Sequence, residues 1–180
     1  MTFLQKDAWL SALLGKPAYR VGGALNALRP CELPADSAFV EAKVDVADAD
    51  TLLHLQDLGF CVIDCNLTMA RSASEASQLA RFTEGVRFAN AADEPGVRDL
   101  ASDAFEQNRF HRDPQIPDAV ASRIKEQWAG NFFCGKRGDW MVVAEDANGI
   151  GGFLQLLHTD NGTVVIDLIA VASRCRRRGL

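Results

Sequence analysis

Thr163-Val-Val-Ile-Asp-Leu-Ile-Ala-Val171, followed directly by Ala172-Ser-Arg-Cys-Arg-Arg-Arg-Gly-Leu180, is the stretch on which the fold turns. A run so rich in β-branched and apolar residues predicts a strand lying centrally in a sheet, because such a run needs cover on both faces. The basic, glycine-bearing loop after it predicts an anion site. Glycine permits close backbone approach, and main-chain N–H groups gathered at a turn or helix start point at a phosphate.

Working outward, Asp146-Ala-Asn-Gly149 and Asp160-Asn-Gly162 are turn signals. They predict that Asp139–Ala144, Ile150–Leu157 and Thr163–Val171 are three consecutive antiparallel strands. Pro117-Asp118 opens a predicted helix that runs through Val120, Ile124 and Trp128 to about Phe133, and the Gly135-Lys-Arg-Gly138 turn breaks it. Upstream, Glu84–Ala89 reads as a strand and Asp93–Phe105 as a helix with acidic residues and proline at its start. Between them and the later helix, residues 106–117 are polar and aromatic without periodicity, which predicts a functional loop.

The front of the chain reads as a smaller unit. Asp7–Leu14 is a short amphipathic helix stopped by Gly15, Pro17–Gly23 a strand, Ala24–Ala35 a loop, and Ser37–Val46 an alternating strand. Ala49–Leu58 repeats leucine at helical spacing before Gly59, and Phe60–Met69 is predicted as the next strand. The small polar residues that follow predict a linker. The expected organisation is therefore a small α/β domain over residues 1–70, a linker over 71–83 and a larger α/β (α+β) domain over 84–180.

With 180 residues, 48% hydrophobic content and a net charge of −5, the chain can bury a core and is not built to coat nucleic acid by bulk charge. No apolar run approaches the length of a membrane span, and the first residues lack the cationic start and apolar stretch of a signal peptide. Cys31, Cys61, Cys65, Cys134 and Cys175 show no CxxC spacing and predict buried or free thiols in a reducing cytoplasm. With His54, His111 and His158 scattered over different elements, no metal site is expected.

Strand, helix, loop, helix and three antiparallel strands, leading into Arg176-x-x-Gly179-x, resemble the acyl-CoA-dependent N-acetyltransferases of the GNAT superfamily over residues 84–180. In that family the motif heads a long helix whose main-chain amides hold the coenzyme A pyrophosphate. A narrower resemblance reaches the front half. It rests on Phe39-Val-Glu-Ala-Lys-Val44, Leu55-Gln-Asp-Leu-Gly-Phe60 and Val97–Phe110. These segments are similar to two-domain members that N-acetylate the 4-amino group of a nucleotide-linked amino-deoxysugar.

The resemblance implies acetyl-CoA as co-substrate, a mixed and mostly antiparallel sheet flanked by helices, and direct attack of an amine on the thioester. Leu168, Ile169, Ala170 and Val171 would offer main-chain groups to the pantetheine arm, and Arg176, Arg177, Arg178, Gly179 and Leu180 would meet the pyrophosphate. The family's tyrosine acid is expected beyond Leu180, since the single tyrosine, Tyr19, lies in the front domain. It leaves room for a homodimer.

The acceptor side is less defined. Strand periodicity puts Asp167 on one face with Ile169 and Val171, so it is either a proton relay or a carboxylate satisfied within the sheet. Arg109, His111 and Arg112 either clamp a nucleotide diphosphate or are solvated loop charges. Two other functional readings remain open: a catalytically inactive module of the same fold, and a basic tail Arg174–Arg178 that binds nucleic acid or another acidic partner.

Overall fold

The computed structural model describes residues 3–72 and 85–177. It is a mixed α+β structure whose seven described strands form two sheets, and it divides into two compact units. One comprises Met1–Leu67 with Arg112–Ile116, the other Thr68–His111 with Pro117–Leu180.

In the first unit β1 (Leu4–Lys6) pairs antiparallel with β2 (Ala18–Val21), and β3 (Phe39–Glu41) adds to β2 in parallel. Helix α1 (Ala8–Leu14) starts where the Asp7 carboxylate accepts the Leu10 N–H at 2.8 Å, and ends at Gly15 with φ of 66°. Helix α2 (Ala49–Asp57) is capped in the same way by Asp48, which accepts from Thr51 N–H at 3.1 Å. Leu55 of α2 closes a core with Val21 and Leu28, and His54 Nε2 lies 2.9 Å from the Leu28 carbonyl oxygen.

Two expectations fail here. The strand expected over 37–46 shortens to Phe39–Glu41, and the one expected over 60–69 does not form. Val62, Leu67 and Met69 are exposed, Met69 at 93%. Apolar and β-branched content favours extended backbone, but a strand exists only where a neighbouring edge takes its N–H and C=O groups, and no described strand pairs with this segment.

The second unit is built on an antiparallel sheet in the order β4 (Val86–Phe88), β5 (Trp140–Asp146), β6 (Gly149–His158), β7 (Val164–Val171). Helices α3 (Glu94–Ala104) and α5 (Asp118–Gly130) supply most of the rest of its core. Val97, Leu100 and Ala101 of α3 and Ala129 of α5 pack with Met141 and Val143 of β5, Phe153 of β6, and Leu168 and Ala170 of β7. The start of α3 is fixed by Asp93, which accepts the Asn90 N–H at 2.8 Å and two Arg87 bonds of 2.7 Å each. That arginine ties β4 to the helix, and the pair holds the Asp93 carboxyl below its usual range.

The region predicted as an irregular loop contains a four-residue helix α4 (Arg109–Arg112). Asn108 makes that turn possible, since its Oδ1 accepts the Phe110 N–H at 2.8 Å. Strand β7 is also not central: among the described residues it is the last strand of its sheet, with Val164, Val165, Ile166 and Ile169 exposed. Composition reports that a strand wants cover, not which element provides it. The linker expected over 71–83 lies, from residue 73 on, outside the described residues.

Candidate functional site

The loop after β7 is clipped to the β5–β6 hairpin. Arg174 directs its guanidinium at Asp146, with Nε at 3.1 Å and Nη2 at 3.3 Å, and donates from Nη2 to the Ile150 carbonyl at 2.8 Å. Beside it the buried Cys175 thiol donates to Asp146 Oδ2 at 3.0 Å. Residue 151 must be small for this to happen, because a Cβ on Gly151 would lie 2.9 Å from Cys175 Sγ. The thiol bond first, then Arg174 and the Asn148 N–H, push the Asp146 carboxyl down to about 2. Its pKa is depressed in the folded chain. The clip is therefore complete above the ordinary carboxylate value of 3.8 and is lost as pH falls through about 2. In an acid titration followed by NMR, the amide signals of Ser173–Arg176 are expected to move in that window and to stay put between pH 5 and 7.

Strand β7 enters this loop with one edge that no described strand pairs. The Ala172 N–H donates to the Gly151 carbonyl at 2.8 Å, and the ladder continues as Gly152 opposite Val171 and Phe153 opposite Ala170. Antiparallel alternation then turns the main-chain groups of Ile169 and Val171 away from β6. The Val171 carbonyl accepts from Arg176 Nε at 3.1 Å. Arg177 has φ of 63°, an uncommon conformation for a residue with a side chain and one that turns the backbone sharply. A cleft of about 450 Å³ lies beside the loop, lined in part by Asp99 and Asp103 of α3, Gly149, Ser173, Arg174 and Arg176. Of the predicted phosphate-binding residues Arg176 and Arg177 lie here, whereas Arg178, Gly179 and Leu180 lie outside the described residues. The basic run is not a freely presented patch, since Arg174 is paired and Arg176 is tied to β7.

Asp167 does not share a face with Ile169. The ladder pairs Gln155 with Leu168 and Leu156 with Ile166, so Asp167 is the extra residue of a β-bulge. The bulge turns its side chain to the helix-covered face at 8% exposure, while Ile169 is 58% exposed. There Asp167 Oδ2 accepts from Arg137 Nε at 2.6 Å, Trp128 Nε1 at 3.0 Å and Gln155 Nε2 at 3.2 Å. Its Oδ1 accepts from Arg137 Nη2 at 2.5 Å. Arg137 comes from the glycine-flanked turn that sequence reasoning treated only as a helix breaker. Gln155 is fully buried, and its Oε1 has no hydrogen-bond partner among the described residues.

Arg109, His111 and Arg112 share α4. The Arg109 guanidinium lies 4.6 Å from the Phe110 ring centroid. His111 Nδ1 is 2.7 Å from Asn108 Nδ2 and Nε2 is 3.3 Å from Ser122 Oγ, so both ring nitrogens serve local structure. Arg112 is exposed. Tyr19 sits on β2 opposite Lys6 and Val40, and the exposed His158 packs edge-to-face on Trp140. Among the described residues no three His, Cys, Asp or Glu side chains are gathered as a metal ion would need, and no helix is long and apolar enough to cross a membrane.

One group escaped sequence reasoning altogether. Lys125 of α5 is only 9% exposed. Its ammonium lies 4.6 Å from the Trp128 ring centroid, 5.0 Å from that of Phe105 and 5.8 Å from that of Phe110. Burial, and next the Arg109 charge, push its pKa down to about 8. The spacing Lys125 to Trp128 was the available signal, because residues three apart share a helix face.

The chain is 30% identical over 132 residues to the dTDP-fucosamine acetyltransferase of Escherichia coli O6:H1. The match covers 73% of this chain and 56% of that relative, so the chain spans little more than half the relative's length. No family profile matches the chain.

Proposed function

We propose that this chain carries the cofactor half of an acetyl-CoA-dependent N-acetyltransferase of the GNAT kind, acting in the cytoplasm on the amino group of a nucleotide-linked amino-deoxysugar. The carrying observation is the β7 edge, left unpaired by the described strands, running into a clipped arginine loop. The outward main-chain groups of Ile169 and Val171 suit the amides of a pantetheine arm, which would lie along Leu168–Val171 as an added strand. Arg176 and Arg177, with Arg178, Gly179 and Leu180 after them, are placed in sequence to meet the pyrophosphate, where guanidinium groups bind bidentately. The resemblance of the chain to an amino-sugar acetyltransferase supports the choice of acceptor. In this reading residues 1–70 and 84–180 are the two domains, joined by 71–83.

The chemistry asks little covalent work of the protein. The acceptor nitrogen attacks the thioester carbonyl carbon, a C–N bond forms as the C–S bond breaks, and the departing thiolate takes up a proton. The chain's part is alignment of the two substrates and stabilisation of charge on the carbonyl oxygen. At the bulge Asp167 has no register partner on β6, and its main-chain N–H would donate to that oxygen. Arg109 and Arg112 would meet the acceptor's phosphates. Thiol release from acetyl-CoA tests the reading. Release that requires a nucleotide-linked amino-sugar is expected, and release with no amine tried, or only through water, contradicts it.

A further inference from the structure

The proposed reaction needs a group to take a proton from the acceptor's ammonium, and the carboxylate nearest the strand is committed. Both Asp167 oxygens already accept hydrogen bonds, four in all, from Arg137, Trp128 and Gln155. Each of these bonds uses an acceptor site that a proton relay would need for substrate. Lys125 is its opposite. It makes no hydrogen bond or ion pair among the described residues; the rings of Phe105, Phe110 and Trp128 lie against its ammonium, with the charges of Arg109 and Asp167 felt from farther off. One indole links the two groups, since Lys125 sits over the Trp128 ring whose Nε1 donates to Asp167. An arm anchored at the loop and lying from Val171 back to Leu168 brings its thioester to this end of β7.

We propose that Lys125, in its neutral form, is the catalytic base that accepts the proton from the acceptor's ammonium group, while Asp167 holds the bulge in place. The inference rests on the acetyltransferase reading. The protons balance: one passes from the acceptor ammonium to Lys125 Nζ and on to water, and the second, lost as the amide forms, leaves with the thiolate. A buried amine pushed down to about 8 is partly neutral at neutral pH, as a base must be. The charged groups around it are Arg109 on α4, which opposes its protonation, and Asp167 on β7, which favours it. Arg137 reaches the same indole at 5.1 Å.

The test compares wild type with Lys125→Arg and Lys125→Ala in pH profiles of kcat and KM with acetyl-CoA and a nucleotide amino-sugar. Coenzyme A binding is followed by calorimetry and folding by circular dichroism. Lys125→Arg keeps the cation among the rings but cannot give up its proton, so kcat should fall roughly a hundredfold at pH 7 with coenzyme A affinity unchanged. The lost rate should recover as pH approaches the acceptor's own pKa, and added ethylamine should rescue Lys125→Ala. Folded variants with kcat within about threefold of wild type and an unmoved pH profile overturn the inference and leave the acetyltransferase reading intact. A wild-type chain that neither binds coenzyme A nor transfers acetyl overturns both.

Discussion

Replacing Asp167 with leucine is expected to cost about 3 kcal/mol of stability, the larger share from groups left behind rather than from the contact removed. The Trp128 indole and the buried Gln155 amide lose their acceptor, and Arg137 loses a forked partner. Arg137 is 39% exposed, so water takes over part of its role, which holds the cost to the low end for a broken ion pair. Urea unfolding at pH 7 measures it. Arg137→Met on the leucine background should restore part of the loss, because it removes the stranded cation.

The second expected result concerns the same cluster viewed through pH. Lys125 has an ordinary value of 10.5 and sits at about 8 in the folded chain, so the unfolded chain binds its proton more tightly. Between those values the unfolded state carries the extra proton, and stability attributable to this residue rises with pH. Below about 8 both states are protonated and the full penalty of the buried charge is present. Each pH unit is worth about 1.4 kcal/mol, so wild type should gain about 3 kcal/mol relative to Lys125→Met between pH 8 and 10.5. Parallel denaturation curves across that range would show that the amine is solvated in solution.

Much of the second unit was legible because its signals are local. Asn148-Gly149 and Asn161-Gly162 mark the two hairpins, and both glycines take positive φ, 98° and 79°. Asp93 and Pro95 mark the start of α3. What escaped depends on partners remote in sequence. The Phe60–Met69 run has strand composition but no paired edge, and β7 has the composition of a central strand at the described end of its sheet. The bulge that turned Asp167 from the face of Ile169 to the face of Leu168 comes from register against Gln155, which period-two reasoning along one strand does not contain. Lys125 was passed over because a lysine in an amphipathic helix ordinarily points to water. Only the convergence of Phe105, Phe110 and Trp128 makes it a buried amine.

The proposed function requires acetyl-CoA to bind along β7 and the loop after it. An amide-shift map of the labelled chain titrated with acetyl-CoA tests this most directly. Saturable shifts concentrated on Ile169, Val171 and Ala172–Arg177, weakened about tenfold or more in affinity by Arg176→Glu, are the predicted result. Shifts confined to α2 or to Arg109–Arg112, or none at millimolar ligand, would contradict it.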